Sequence, residues 1–481
     1  MVRLPVVLGN LGKIILIIGI AMLAPVVCAI VYGESELVPL AISAGITLIS
    51  GGLLVYFFDT EKEMFYREGF AIVTLGWVAA SLVGTLPFIL TGTVHSFADA
   101  LFETVSGFTT TGATILSDVE AVSYAVLFWR SLTHWLGGMG IMVLFIAIIA
   151  TLGNRANQIF RAELPGPAKE KVSPRVSSTA KILWVTYVVM SVILAVILIL
   201  QGMPVFDSLC HTFGTMATGG FSTKNASIGY YSPAIQWTIT IFMALAGTSF
   251  ALHFLAFKRR SLKLYWRDSE FKLYIGILGA ASLLIVVSLC GAGVKLGEET
   301  IRTAVFQVVS ICTTTGYGTV DFDQWPALAR QVIFALMLVG GCAGSTAGGI
   351  KVGRHLIMAR QTGIELKRML HPRAVLPLKI NQKVVAPELL VNVLQFLFLY
   401  IGIIIIGSLV MCAMGLDLVS SLTSVMTCLG NIGPGMNLLG PTSNFGFLPA
   451  ASKYLLSFMM LLGRLEIFPV LILMLPEFWR R

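Results

Sequence analysis

Arg302 to Thr319 read RTAVFQVVSICTTTGYGT, an apolar segment that closes on Thr314-Thr315-Gly316-Tyr317-Gly318. It is too short to cross a bilayer, because about 30 Å of hydrocarbon takes about 20 helical residues at about 1.5 Å each. Three other stretches share its design: FADALFETVSGFTTTGAT from Phe97, FDSLCHTFGTMATGGFST from Phe206 and VSSLTSVMTCLGNIGPGM from Val419. In register, Asp99, Asp207, Thr303 and Ser420 each stand 13 residues before a glycine, namely Gly112, Gly220, Gly316 and Gly433. A start at Asp417 would put Gly430 in the fourth place; overlaying Asn431-Ile432-Gly433 on Thr110-Thr111-Gly112 favours Gly433. Successive glycines lie 108, 96 and 117 residues apart, room for a span, a half-span and a second span in each copy.

Around these half-spans lie ten apolar runs long enough to cross a membrane: roughly 12–32, 38–58, 70–92, 124–151, 181–202, 233–257, 272–292, 327–350, 388–414 and 452–476. The chain of 481 residues is 56% hydrophobic and 12% charged, well under the roughly 25% charge of soluble domains. A water-soluble enzyme and a singly anchored protein are both excluded. Open sheets leave backbone groups unpaired in lipid, and runs this long do not alternate as barrel strands do. The expected fold is an all-α integral membrane protein. Two extra N-terminal helices occupy 1–69, and four helix–pore-helix–helix repeats at 70–175, 176–268, 269–385 and 386–481 surround one central pore.

Placement explains the net charge of +9. Segments 152–182, 258–272 and 351–387 hold 20 of the 33 Lys and Arg against five acids, and alternate with the spans so as to share one face. The positive-inside rule makes that face the cytoplasm, with Met1 and Arg481 both inside. Segment 59–69 departs from the pattern, since Asp59, Glu61, Glu63 and Glu68 outnumber Lys62 and Arg67; it reads as a solvated inner loop. The basic excess is therefore a topology signal and not a nucleic-acid surface. Seven cysteines form no CxxC pair and read as small buried hydrophobes, not disulfides or metal ligands. No cleavable signal peptide stands out.

Irregular backbone at membrane depth is tolerated only where it lines an aqueous cavity or is buried in protein. Glycine adopts left-handed conformations that turn successive carbonyls to one side. Rings of such carbonyls replace the hydration shell of potassium in channels whose filter reads TVGYG, which the third repeat resembles. TTTGAT, ATGGFS and GNIGPG keep the glycine and vary around it, so an asymmetric filter is expected. Its expected potassium-binding residues are Thr110, Thr111, Gly112, Thr218, Gly219, Gly220, Thr314, Thr315, Gly316, Asn431, Ile432 and Gly433. The negative dipole ends of the four short helices add attraction for a cation. Helix packing by small residues is the plain alternative, and four matched turns weigh against it.

The chain resembles the membrane subunit of bacterial Trk-type potassium uptake systems, the TrkH/TrkG family of the Trk/Ktr/HKT superfamily, over essentially its full length. The likeness rests on Thr109-Thr110-Thr111-Gly112-Ala113-Thr114, His134-Trp135-Leu136-Gly137-Gly138-Met139-Gly140, Thr313-Thr314-Thr315-Gly316-Tyr317-Gly318-Thr319 and Gly430-Asn431-Ile432-Gly433-Pro434-Gly435. Two spans before the first repeat mark the TrkH-like type over the shorter Ktr type. The resemblance implies potassium uptake across the bacterial inner membrane, with no enzymatic activity. It also implies a homodimer with one pore per protomer and a cytosolic TrkA-type nucleotide-binding regulatory protein. No cofactor is expected in this chain; nucleotide acts only through that partner.

Gly340 to Gly349, GGCAGSTAGG, puts five glycines in ten residues and disfavours a continuous helix. A flexible break below the filter is expected, able to occlude the pore and move aside. The resemblance implies an intramembrane gating loop, 340–353, that includes Gly344, Ser345, Thr346, Gly348 and Gly349. A tight helix crossing is the other reading. A phosphate-binding loop fails, because Ile350 stands where a lysine is required.

Arg464 lies deep in the last apolar run, where a charge is costly and marks function. It is expected to face the pore near the loop, and the resemblance places a gating arginine on this helix. A structural hydrogen bond to backbone carbonyls is the alternative. Glu466, two residues on, projects to another face and reads as a poor partner for it. His134 reads as a packing or interfacial residue. Asp99 and Glu103 read as outer-mouth acids that concentrate cations, or equally as solvated surface charge. The basic stretch Lys351 to Lys383 is a topology signal or a surface for the cytosolic partner. Proton- or sodium-coupled symport is the competing function; it wants an intramembrane carboxylate relay, for which Glu466 is the candidate. A membrane enzyme would need convergent groups at one depth, which six scattered histidines do not supply.

Overall fold

Apolar sequence becomes helix here because lipid offers no partner for a free N–H or C=O. The protein, seen in a computed structural model, is described over residues 2–58, 65–151 and 176–480. Outside them fall 152–175 of the first basic segment, 59–64 of the mixed-charge segment, and the terminal residues Met1 and Arg481. Helices α1 (Leu4–Ala21) and α2 (Leu23–Tyr32) make one crossing, stopped at Gly33 with a left-handed φ of 67°. Helix α3 (Leu37–Phe57) returns against α1. Glycines allow that close approach: a Cβ at Gly51 would stand 2.8 Å from the Leu16 amide nitrogen.

The order long, short, long then occurs four times. First come α4 (Tyr66–Gly84) with its extension α5 (Leu86–Leu90), short α6 (Phe97–Phe108) and α7 (Tyr124–Thr151). Second come α8 (Val176–Leu200), short α9 (Val205–Met216), and α10 (Pro233–Ala246) with α11 (Phe250–Lys258). After the connector α12 (Lys263–Arg267) follow α13 (Ser269–Gly291), short α14 (Glu298–Cys312), α15 (Ala327–Leu336) and α16 (Val352–Leu370). The fourth set is α17 (Pro387–Ala413), short α18 (Leu418–Gly430), α19 (Ala450–Arg464) and α20 (Phe468–Met474), with α21 (Pro476–Trp479) at the end. Carboxylates sit at the N-terminal ends of the short helices, where the dipole favours them: Asp99, Asp207, Glu298 and the N-cap Asp417. Exposed Ile17, Val31, Phe398 and Ile406 lie on the surface that lipid covers.

Two of the ten runs expected as continuous spans are broken. Run 233–257 bends by 95° between α10 and α11, and run 452–476 by 117° between α19 and α20. Each break has a local cause. At Gly247–Ser249 the lost helical bonds are replaced from another repeat: the Cys342 amide donates to Gly247 O (2.8 Å) and the Phe250 amide donates to Gly344 O (3.1 Å). At Leu465–Ile467, Glu466 and Ile467 both adopt left-handed φ (55° and 67°) just ahead of Pro469, which cannot continue a helix. Run 327–350 is interrupted where its glycines foretell, with α15 ending at Leu336 and helix resuming only at Val352.

The strands among the described residues are β1 (Lys379–Ile380) and β2 (Lys383–Val384), an antiparallel hairpin pairing Lys379 with Val384 and Ile380 with Lys383. Its turn residues Asn381 and Gln382 both have positive φ, as a two-residue hairpin requires. The Asn381 side chain accepts from the Ser269 amide (2.9 Å) and donates to Asp268 (2.8 Å), fixing the hairpin to the start of α13.

Candidate functional site

Each short helix ends in the same turn. The amides of Thr111, Gly219, Thr315 and Ile432 reach back five residues to Ser106, Gly214, Ser310 and Thr427, at 2.8–2.9 Å. That bond demands a left-handed residue just before it. Thr110, Thr218, Thr314 and Asn431 supply it, with φ of 54°, 54°, 57° and 53°. Asparagine tolerates this conformation, but a β-branched threonine does so at a cost of about 1–3 kcal/mol, strain of the kind that collects at functional sites. Two residues later Gly112, Gly220, Gly316 and Gly433 are left-handed again (φ 80°, 82°, 81° and 101°). Gly430 is the last helical residue of α18, so the fourth copy of the pattern falls on Gly433.

The four turns close on one another in chain order. A Cβ built on Gly112 would collide with the carbonyl oxygen of Gly219, one on Gly220 with that of Thr315, and one on Gly316 with that of Ile432. On Gly433 it would come to 2.7 Å from Thr111 O, which completes the circuit. The four carbonyls preceding the glycines therefore share one level of a four-part ring, and a side chain at any of these glycines has no room.

Side chains brace the ring from behind. Thr109 and Thr111 share a hydroxyl bond of 2.8 Å, repeated between Thr313 and Thr315. Asn431 Nδ2 donates to Thr111 Oγ1 (3.0 Å) and Met460 O (3.0 Å), linking the fourth repeat to the first. Tyr317 is buried and turned away from the ring, its hydroxyl donating to His211 O (3.2 Å). His134 stacks on Phe221 with centroids 4.1 Å apart. The Phe221 amide donates to its Nε2 (3.2 Å), which leaves Nδ1 as the donor to Gly107 O (2.7 Å). The ring is thus a neutral post between repeats one and two, a packing role.

Of the two acids read as cation collectors or solvated surface charges, Glu103 is neither, while Asp99 is part-exposed and ion-paired. Glu103 is fully buried, paired with Arg130 (2.6 Å) and accepting from the Thr114 hydroxyl (2.9 Å) and the Ile115 amide (2.9 Å). Asp99 pairs with buried Lys453. On the outer rim, Asp118 accepts from Asn225 Nδ2 (2.8 Å), a bond that holds its carboxyl below the ordinary range. Burial pushes Asp323 upward, although it accepts from the Asn437 amide (2.9 Å).

On the side of the ring where the short helices end lies the glycine-rich loop. The Gly348 amide donates to Thr314 Oγ1 (2.7 Å), and a Cβ on Gly348 would stand 3.0 Å from Asn431 Cβ. Gly344 and Gly349 have positive φ, and Ser345 Oγ donates to Cys342 O (2.6 Å). Thr346 Oγ1 reaches Met216 O (3.0 Å) in the second repeat. Arg464, 1% exposed, donates to Thr346 O (2.8 Å) and to Gly137 O (3.2 Å) in the first. All four repeats therefore meet at Thr346 and Arg464. The hydrogen bonds to carbonyls weighed above as a structural alternative are present, and one of them lands on the loop itself.

Glu466 does pair poorly with Arg464: its partner is Arg354 (2.6 Å), on α16 just past the loop. Glu270 was missed by reading the α13 run from 272. It is buried and accepts from the amides of Ala343 (2.7 Å) and Gly353 (2.9 Å), one at each end of the loop. Arg130 was missed as well, although a charge inside the apolar run of α7 is the same signal that singled out Arg464.

Comparison with known proteins places these features in context. The family model described as "TrkH: Cation transport protein" matches residues 40–481. The chain is 40% identical to the Trk system potassium uptake protein TrkH of Escherichia coli over 98% of both chains. It is 35% identical to TrkG of the same organism over 98% of this chain and 97% of that one. The crystal structure of the potassium transporter TrkH from Vibrio parahaemolyticus superposes with a TM-score of 0.90 at 36% identity, covering 99% of this chain and 100% of that one.

Proposed function

Since the chain belongs to the TrkH family of cation transport proteins, we propose that it carries potassium into the cell across the bacterial inner membrane. Both termini lie in the cytoplasm in this reading, and the four-part ring is the selectivity filter. The observation that carries it is the repeated left-handed pattern at Thr110/Gly112, Thr218/Gly220, Thr314/Gly316 and Asn431/Gly433. That pattern turns the carbonyls of Thr111, Gly219, Thr315 and Ile432 to one side, where carbonyl oxygens can replace the water around a dehydrated cation. Related proteins carry potassium uptake in their names; a membrane transporter, not an enzyme, is the class they share.

The loop 340–353 and Arg464 form the gate in this proposal. The loop crosses beneath the ring, and Arg464 holds it there while placing a positive charge on the cation path. Opening requires those bonds to break. A cytosolic nucleotide-binding protein of the TrkA type would drive that step in a homodimer with one pore per protomer, nucleotide acting only through the partner. Coupled symport is disfavoured by the Arg354–Glu466 pair, which gives the candidate relay acid a fixed cationic partner.

The test is rubidium and potassium uptake in cells lacking other potassium uptake, with and without the cytosolic partner. Restored uptake with a reversal potential that follows potassium alone is expected. Absence of uptake by protein present in the membrane would overturn the reading, and a reversal potential that moves with proton or sodium gradients would replace it by symport.

A further inference from the structure

Three of the four junctions of the ring carry different bonds beyond the filter. Between repeats three and four a backbone amide, that of Asn437, meets the Asp323 carboxylate at the rim. Between four and one, Phe445 N–H donates to Thr114 O (2.8 Å). Between one and two, Arg130 of the first repeat donates to Ser222 O of the second from within a buried ion pair of the first repeat. Glu103 of α6 is 0% exposed and its Arg130 partner on α7 is 2% exposed, with Nε 2.6 Å from Oε1.

Each member of the pair also holds backbone just beyond the filter. Glu103 takes the Ile115 amide (2.9 Å) and the Thr114 hydroxyl (2.9 and 3.1 Å), three and two residues past Gly112. Arg130 crosses to the second repeat, where NH1 donates to Ser222 O (3.0 Å), two residues past Gly220. Its guanidinium lies 3.5 Å from the centre of the Phe221 ring, and Phe221 itself is fixed by His134. One continuous chain of charge-assisted bonds thus runs Ile115–Glu103–Arg130–Ser222 and spans both filter strands. Replacing such a pair with well-packed apolar residues is often neutral or favourable for stability. Stability alone therefore gives no reason for two charges at this position.

We propose that Glu103 and Arg130 are specificity-determining positioning residues. The pair fixes the spacing of the first two filter strands, and with it the discrimination between potassium and the smaller sodium ion. The proposal rests on the filter reading above. A ring held open at a fixed width cannot close on an ion that is too small, so the stiffness of its frame sets the penalty for sodium. Guanidinium suits the task, because its planar fork serves the Glu103 carboxylate and the Ser222 carbonyl at once. A lysine offers a point charge without that fork.

The experiment measures the potassium-to-sodium uptake ratio, maximal rubidium uptake and the amount of folded protein in the membrane. The variants are Arg130→Lys and the double variant Glu103→Leu/Arg130→Met, beside Gly316→Ser. The double variant leaves no unpaired buried charge, and Arg130→Lys retains the charge should the double variant fold poorly. The ratio is expected to fall about tenfold in the double variant and about threefold in Arg130→Lys, at near-normal rubidium uptake per folded molecule. A wild-type ratio in either variant, once folded, with a lowered ratio in Gly316→Ser, overturns the proposal and spares the filter. A wild-type ratio in folded Gly316→Ser overturns the filter reading itself.

Discussion

The guanidinium of Arg464 donates to the carbonyl oxygen of Thr346 across 2.8 Å, joining the end of α19 in the fourth repeat to the middle of the loop in the third. Its second bond, to Gly137 O at 3.2 Å, anchors the same side chain to the first repeat. Among the described residues these two carbonyls are the hydrogen-bond partners of the guanidinium, whose Nε finds none, so the buried charge is tied to the loop and to the first repeat at once. A charge-assisted bond of this kind contributes about 1.5–3 kcal/mol, enough to shift a two-state gate by about tenfold or more.

Arg464→Ala is accordingly expected to raise basal potassium uptake about tenfold in the absence of the cytosolic partner. Flux measured in membranes with quantified protein checks this. Unchanged uptake by a normally folded variant would count against a gating role.

Gly316→Ser should lower discrimination against sodium, because the new Cβ meets Ile432 O and φ is +81°. Gly318 is the control: nothing stands within 4 Å of a Cβ there. Gly318→Ala should keep the wild-type potassium-to-sodium ratio. If both glycines respond alike, the turn is not specific to Gly316.

The contrast between these two glycines marks how far the sequence carries. Turns repeated at a spacing of 13 residues between an outer marker and a glycine are periodic, and periodicity survives in one dimension. So does the break at Gly340–Gly349, since composition alone opposes helix there; the ten apolar runs do not survive as ten unbroken spans, because among the described residues six helices are long and apolar enough to cross, or eight if each bent pair is one span. What the residues could not announce is pairing across repeats. Glu103 looked like a mouth acid because its partner stands 27 residues away on another helix. Glu270 sits in sequence among the charges of segment 258–272, and the amides it accepts lie 73 and 83 residues on. The bends at Gly247 and Glu466 hid inside apolar runs, because hydropathy does not register whether backbone bonds are made within a helix or borrowed from a neighbouring loop.

His134→Ala removes a ring stacked on Phe221 and leaves the Phe221 amide and the Gly107 carbonyl without their partner. A loss of about 2–4 kcal/mol is expected from the cavity and the two orphaned groups. It should appear as a lower Tm in detergent. A wild-type Tm would show that the interface between repeats one and two rests elsewhere.

Glu270 offers the sharpest test of how the loop is held. One carboxylate oxygen accepts from both Ala343 and Gly353, so the ends of the loop are tied to the start of α13 while Arg464 grips its middle. Glu270→Gln keeps an acceptor of the same shape but removes the charge, which roughly halves each bond; Glu270→Ala removes both. Basal uptake should therefore rise in the order wild type, Gln, Ala, by about threefold and then about tenfold. Because the two anchors restrain one loop, Glu270→Ala and Arg464→Ala should not add: the double variant should gain little over the stronger single one, the signature of residues sharing a two-state element. Independent, multiplicative gains would mean that the two side chains restrain separate motions, and a fall in uptake in Glu270→Ala would mean that the tied ends are the pivots on which the loop opens.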